Sequence, residues 1–187
     1  MEKIYLYHTG FQEIREPDLT IGRKNADFGQ GFYLTSDKDF SERWAKERKG
    51  SQTYVNTYEF CPDGLKILHF ERNEEWFDYI YGNRNGRADC LKEMDVITGP
   101  IANDTIYDVM GITTSGILSR EQSLQLLQIG PVYQQIAIKS QKAIGQLHWL
   151  SARVLEPSEL AGYKKIVQQE EKKFQTLLAE KLDQLVD

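Results

Sequence analysis

The pattern of hydrophobic and polar positions predicts short strands alternating with amphipathic helices. Runs of β-branched and aromatic residues between glycine, proline and asparagine are typical of strands, whereas apolar residues at helical spacing after a capping residue predict helices. The predicted strands cover residues 4–8, 32–35, 54–60, 66–70, 94–102, 133–139 and 151–156. The predicted helices cover residues 38–49, 73–81, 105–110, 119–127 and 158–187. Pro62-Asp63-Gly64, between two of the strands, predicts a hairpin. This order of elements predicts an α+β fold.

The segment from Asn25 to Thr35 is a glycine-punctuated turn that leads directly into an aromatic strand. Glycine destabilises regular structure, so Gly29 and Gly31 beside a strand indicate a sharp bend or the close approach of a ligand. An ordinary tight turn is the alternative interpretation. We therefore take this segment as a candidate ligand loop.

Length, composition and charge limit the classes of protein to which the chain can belong. With 187 residues and 40% hydrophobic content it is long enough for one core. The net charge of -5 argues against non-specific binding to nucleic acid, although a local basic patch is still open. Cys61 and Cys90 in a chain without an apolar leader fit a cytoplasmic protein with reduced thiols. The scattered histidines and cysteines show no metal-ligand spacing, so no metal is expected.

Several motifs carry a resemblance to a known superfamily. The pattern Phe28-Gly-x-Gly-x-Tyr33, followed by Ser41 and Trp44, resembles the nicotinamide-pocket segment of the ADP-ribosyltransferase superfamily, in its branch with a His, Tyr, Glu signature. The similarity is closer still to the bacterial "domain of unknown function 3990" family, which is grouped with these transferases, over about residues 4 to 150. The motifs that carry it are Tyr7-His8, Gly22-Arg23, Asp27-Phe28-Gly29-x-Gly31-Phe32-Tyr33 and Gly99-Pro100-x-Ala102-Asn103-Asp104. Their conjunction and order are more specific than any one of them.

The resemblance implies an NAD⁺ site. His8 would bind the adenosine ribose. The Thr9 backbone and the Ser41 side chain would bind the nicotinamide amide. Tyr33 and Trp44 would enclose the nicotinamide ring, with stacking and cation–π attraction of about 0.5–2 kcal/mol per contact. The implied cofactor-binding residues are His8, Thr9, Gly10, Arg23, Phe28, Gly29, Gly31, Tyr33, Ser41, Trp44, Asn103 and Asp104. The implied catalytic residues are His8, Tyr33 and Gln135.

For three of these residues the sequence leaves a simpler role open. Arg23 would neutralise the pyrophosphate, but a solvated cation is the alternative. Asn103 and Asp104 follow a strand and precede a helix, so their simpler role is helix capping.

Two positions depart from the family pattern. The usual His-Gly becomes His8-Thr9, which preserves the backbone groups but adds a side chain. Gln135 stands where the aligned strand carries the catalytic glutamate. A neutral amide keeps a hydrogen bond to the ribose but loses the charge that stabilises an oxocarbenium-like transition state, at about 1.5–3 kcal/mol. We expect reduced activity and no chain elongation.

These observations predict residues 1–157 as an ADP-ribosyltransferase-like split β-sandwich with flanking helices, and residues 158–187 as a C-terminal helix on that domain or on a partner. The predicted function is mono-ADP-ribosylation of an unknown protein or nucleic-acid acceptor with release of nicotinamide. The main alternative is a catalytically weak or inactive NAD⁺- or nucleotide-binding module, in a toxin–antitoxin or phage-defence system. A third is a non-enzymatic interaction protein that uses the C-terminal helix to bind an antitoxin or another partner.

Overall fold

A computed structural model describes residues 3–106 and 118–186. The strands are β1 (Ile4–Gly10), β2 (Phe32–Leu34), β3 (Thr53–Phe60), β4 (Ile67–His69), β5 (Val96–Pro100), β6 (Gln134–Ile138) and β7 (Leu147–Leu155). The α-helices are α1 (Lys38–Arg43), α2 (Glu74–Arg84), α3 (Asn103–Ile106), α4 (Arg120–Leu127), α5 (Gln141–Ile144) and α6 (Pro157–Val186), with a 3₁₀ turn at Leu19–Ile21. The predicted helix over residues 105–110 lies mainly outside the described residues.

The strands form two sheets. The first is three-stranded and antiparallel in the order β1-β3-β7, and the second is four-stranded in the order β2-β6-β5-β4, with β4 parallel to β5. The two sheets meet where Tyr7 of β1 and Thr35, just after β2, exchange backbone hydrogen bonds of 2.8 and 3.0 Å. The α+β class is confirmed, and the junction brings the end of β1 beside the glycine-rich segment.

Two apolar clusters hold the sheets and helices together. The first lies between the sheets and includes Leu6, Tyr58 and Ile138. The second packs α2 on the other face of the second sheet, through Trp76 and Ile97 among others. Full burial of such large side chains contributes about 1.5–3 kcal/mol each. The glycine-rich segment is therefore fixed to a packed scaffold.

The predicted hairpin, two predicted helix ends and the start of the last strand, which lies at Leu147 rather than at residue 151, are wrong. Pro62-Asp63-Gly64 does form a turn, with Gly64 at a φ of +71°, but it passes the chain from β3 in one sheet to β4 in the other, so there is no hairpin. Helix α1 ends at Arg43 with Trp44 as its C-cap, short of the predicted end at residue 49. Helix α2 continues through Gly82 to Arg84, because side chains of its last turn bind the segment around Asp27.

The C-terminal helix α6 packs on the rest of the chain. Its buried residues Phe174 and Leu178 cluster with Leu126 of α4, and Trp44 packs against this group. Arg43 and Glu170 form an ion pair of 2.7 Å between α1 and α6. Within residues 3–106 and 118–186, no helix combines the length and apolar composition that a membrane crossing requires.

Candidate functional site

The candidate site is a cavity of about 390 Å³ beside the junction of the sheets. Tyr33, Trp44, Gln135 and Asp27 line it, together with Arg23 and Phe40, and we call it the aromatic cavity. It has the size and the mixture of aromatic and polar walls that are typical of small-molecule sites. The structure therefore brings both predicted nicotinamide rings and the predicted catalytic position to one place.

Tyr33 forms a rigid wall of this cavity. Its hydroxyl accepts a hydrogen bond from Phe28 N at 2.9 Å and donates one to Gly29 O at 2.7 Å. Burial, reinforced by the charge of Asp27, raises the pKa of Tyr33 above its usual value. Gly29 has a φ of +76°, a conformation that favours glycine. Tyr33 can offer a ring face, but it is not an acid–base catalyst at neutral pH.

Trp44 is positioned by the end of α1 and by two other aromatic residues. Asp37 caps α1 by accepting a hydrogen bond from Phe40 N at 2.9 Å. The Phe40 ring stacks on that of Tyr133 with centroids 4.5 Å apart, and the Trp44 ring meets Tyr133 edge-on at 6.3 Å. Trp44 therefore faces the cavity from a packed aromatic group.

His8 lies at the other side of Tyr33. Its Nδ1 donates to Tyr33 O at 2.7 Å, and its ring lies 4.6 Å from that of Phe32. Burial lowers the pKa of His8, although the hydrogen bond to the carbonyl opposes this effect. His8 is thus neutral at pH 7, and because Nδ1 donates, its Nε2 can accept a hydrogen bond.

A second cavity of about 730 Å³ adjoins the first. His8 and Gly31 line it, and we call it the His8 cavity. It shares Arg23 and Tyr33 with the aromatic cavity, so the two cavities are adjacent, and we call them together the cleft. Arg23 lies at their boundary, where the guanidinium can bind an anionic group.

Thr9 and Ser41 bind each other. Thr9 Oγ1 lies 2.6 Å from Ser41 Oγ and donates to Ser41 O at 2.8 Å. Thr9 and Gly10 line a third cavity of about 240 Å³, which shares Trp44 with the aromatic cavity. The added side chain at position 9 thus links β1 to α1, and any hydroxyl contact to a ligand competes with this pair.

The polar end of the aromatic cavity is a network that the sequence did not reveal. Gln135 Nε2 donates to Asp27 Oδ2 at 3.1 Å, and Asp27 Oδ1 accepts from Arg84 Nε at 3.0 Å. Arg84 Nη1 in turn binds both oxygens of Asp104 at 2.9 and 3.0 Å. Burial favours the neutral guanidinium, but the two carboxylates hold the pKa of Arg84 above its usual value.

Other predicted ligand residues have structural roles. Phe28 is fully buried in the apolar cluster around α2, so its side chain does not line the cleft. Asn103 is also fully buried, and its Nδ2 donates to Ile129 O. Asn103 and Asp104 lie within the first turn of α3 rather than capping it. Asp104 does not line the aromatic cavity but is linked to it through Arg84 and Asp27 and through Thr105.

The comparisons with known proteins place the chain in one family. No curated protein and no solved structure matches it. The sequence profile described as "Protein of unknown function (DUF3990)" matches residues 4–149, which include every cleft residue named above. The chain therefore belongs to the DUF3990 family.

Proposed function

We propose that this protein is an NAD⁺-dependent mono-ADP-ribosyltransferase that modifies a protein or nucleic acid. The observation that carries the proposal is that Tyr33 and Trp44, distant from Gln135 in sequence, line one cavity with it. The two sheets that meet beside this cavity support an ADP-ribosyltransferase-like interpretation of the fold. The resemblance in sequence motifs points to the same activity.

The cleft suggests how NAD⁺ would lie. The nicotinamide occupies the aromatic cavity, the pyrophosphate lies near Arg23, and the adenosine enters the His8 cavity. There the neutral His8 accepts a hydrogen bond from a ribose hydroxyl at Nε2. The two volumes, about 390 and 730 Å³, fall within the range of small-molecule sites. Each cavity thus has room for one half of the dinucleotide.

The reaction breaks the bond between the nicotinamide nitrogen and the ribose C1′. The electron pair leaves with nicotinamide, the ribose takes on cationic character, and a nucleophile of the acceptor forms the new bond to C1′. The aromatic residues would bind and orient the nicotinamide ring, and polar oxygens near the ribose would stabilise its cationic transition state. Gln135 and Asp27 are the groups of the cavity wall that supply such oxygens.

One specific observation favours a second candidate, an NAD⁺-binding module without turnover. Among the described residues that line the aromatic cavity, Asp27 has the only carboxylate, and it is paired with Arg84 at 2.9 Å. That pairing weakens the negative potential at the ribose. Tight binding with intact NAD⁺ after long incubation selects this candidate.

The first experiment measures NAD⁺ binding to the wild type and to Trp44→Ala by calorimetry. Loss of one stacking face removes about 1–2 kcal/mol, so we expect Kd to rise about five- to thirtyfold. Tyr5→Ala is the matched control, because Tyr5 is an aromatic residue that is 56% exposed and does not line the cleft. Equal affinity of Trp44→Ala and wild type contradicts the proposed position of the nicotinamide.

The second experiment tests transfer. The protein is incubated with NAD⁺ labelled in the adenosine ribose and with lysate, and nicotinamide and labelled macromolecules are measured by mass spectrometry. The proposal predicts nicotinamide release that depends on Trp44 and a label on protein or nucleic acid. Binding without release or label leaves the non-catalytic module, and absence of NAD⁺ binding overturns both candidates.

A further inference from the structure

The side-chain amide of Gln135 has one orientation that its surroundings permit. Nε2 lies 3.1 Å from Asp27 Oδ2 and 3.4 Å from the carbonyl oxygen of Pro100. A carboxylate and a backbone carbonyl only accept hydrogen bonds, so the NH₂ group must face them. Rotating the amide by a half turn would bring Oε1 against two acceptors and leave three oxygens facing one another.

The same constraint determines where Oε1 points. Gln135 is almost fully buried, and the small part of it that is accessible lines the aromatic cavity. Within the described part of the chain, Oε1 receives no hydrogen bond. A carbonyl oxygen is thus available to a ligand, and it can accept a hydrogen bond but cannot donate one.

Asp27 is itself held by the rest of the network. Arg84 binds Oδ1 through Nε at 3.0 Å and through Nη2 at 2.9 Å, which leaves Oδ2 for Gln135. Asp104 holds Arg84 from the opposite side. The side chains of this network are buried or nearly so: Gln135, Asp27, Arg84 and Asp104. Their charge-assisted hydrogen bonds therefore act in a medium of low dielectric constant, which fixes which atom donates and which accepts in each bond.

We propose that Asp27 is a positioning residue that fixes the Gln135 amide with its oxygen toward the cavity, so that the site selects a ligand with a hydroxyl donor at this point. On the proposed function, on which this inference rests, that donor is the 2′-hydroxyl of the nicotinamide ribose. The buried carboxylate also polarises the amide through its NH₂ group and strengthens Oε1 as an acceptor. Gln135 then retains the hydrogen-bonding part of a glutamate's role.

The test compares two dinucleotides: NAD⁺ and its analogue that lacks the 2′-hydroxyl of the nicotinamide ribose. Their dissociation constants are measured by calorimetry, so that no turnover is required. One hydrogen bond to a polarised amide corresponds to about a five- to tenfold preference of the wild type for NAD⁺. In Asp27→Asn the Arg84 donors hold the new amide oxygen, so its NH₂ group faces Gln135, favours the reversed Gln135 amide with the NH₂ toward the cavity, and lowers the preference to about twofold or less.

Asp104→Asn is the matched control. It removes the same charge from the same Arg84, but Asp104 does not contact Gln135. The preference for NAD⁺ should persist in Asp104→Asn even if the overall affinity changes. A loss of charge alone would affect both variants alike, whereas loss of orientation affects only Asp27→Asn.

The outcomes separate the two proposals. If wild type binds neither dinucleotide, the proposed function fails and this inference fails with it. If wild type binds both equally, or if Asp27→Asn keeps the full preference, the positioning role of Asp27 is overturned and NAD⁺ binding stands.

A measurement on the wild type covers the case in which Asp27→Asn does not fold. The Gln135 side-chain NH₂ signals are assigned by NMR through their loss in Gln135→Leu. A carboxylate-bound, buried NH₂ exchanges with water at least about tenfold more slowly than the NH₂ groups of the exposed Gln52 and Gln168. Exchange of the Gln135 NH₂ at the rate of these exposed groups overturns the proposal.

Discussion

At the scale of single residues, the polar groups of the aromatic cavity are already engaged before a ligand arrives. The Tyr33 hydroxyl binds Phe28 and Gly29, and the Gln135 NH₂ group binds Asp27 and Pro100. Groups held in this way need little reorganisation on binding. What each presents to the cavity is therefore well defined: an aromatic ring from Tyr33 and a carbonyl oxygen from Gln135.

Gln135→Glu tests the consequence of this arrangement for catalysis. The change puts a second carboxylate about 3 Å from Asp27, where repulsion causes the pair to retain a proton. We therefore expect Gln135→Glu alone to raise NAD⁺ hydrolysis by less than about threefold. The double variant Asp27→Asn/Gln135→Glu removes the repulsion and reverses donor and acceptor, so it should raise hydrolysis about ten- to hundredfold, equivalent to about 1.5–3 kcal/mol.

Nicotinamide release from NAD⁺ in water is the readout for both variants, and Asp27→Asn alone is the control. Equal rates for the double variant and the wild type, with both folded by circular dichroism, contradict the placement of the ribose beside Gln135.

The sequence predicted some of these residues and missed others for a physical reason. Tyr33, Ser41 and Trp44 were predicted because their motif is local, and the structure brings Tyr33 and Trp44 to one cavity. Asp27 and Arg84 were not paired, because they lie far apart in sequence and any of the chain's many cations is a candidate partner. Only tertiary structure decides which opposite charges are buried together.

At the scale of elements, periodicity predicted the type of most strands and helices but not the sheet to which each strand belongs. Alternating apolar residues fix which face of a strand is buried. The turn at Pro62-Asp63-Gly64 reverses the chain locally, yet β4 pairs with β5 and not with β3. Likewise Gly82 predicted a helix end, but contacts of Asn83 and Arg84 with Asp27 extend α2 beyond it.

Gly31 illustrates an element-scale constraint that can be tested. A Cβ at this position would lie 2.6 Å from Ile138 O, in the strand that pairs with β2. Gly31→Ala should therefore push β2 and β6 apart and lower the free energy of unfolding by about 1–3 kcal/mol. Urea denaturation followed by circular dichroism measures the change.

Gly162→Ala is the control for this prediction. Gly162 lies in α6, and a Cβ there meets no atom within 4 Å. Alanine favours the helix over glycine, so the control should be neutral or more stable by up to about 1 kcal/mol. A Gly31→Ala variant as stable as wild type means that β2 and β6 do not approach as closely as described.

At the scale of the whole molecule, the cleft depends on parts of the chain that do not line it. The Tyr7–Thr35 bridge joins the two sheets beside the cavities, and α6 packs behind α1. Trp44 thus faces the aromatic cavity on one side and the α6 cluster on the other. The C-terminal helix supports one wall of the proposed nicotinamide site.

Neighbouring leucines on α6 allow this support to be tested. Leu178 is 8% exposed and belongs to the cluster against which Trp44 packs, whereas Leu177 is 47% exposed. Leu178→Ala should lower the free energy of unfolding by about 2–5 kcal/mol, and Leu177→Ala by less than about 0.5 kcal/mol.

Because the cavity left by Leu178→Ala loosens Trp44, NAD⁺ binding should weaken more than twofold in the folded variant, although no part of Leu178 reaches the cleft. Calorimetry below the unfolding temperature of each variant gives both affinities. Unchanged affinity in a destabilised Leu178→Ala would show that α1 and the Tyr133 ring position Trp44 without help from α6.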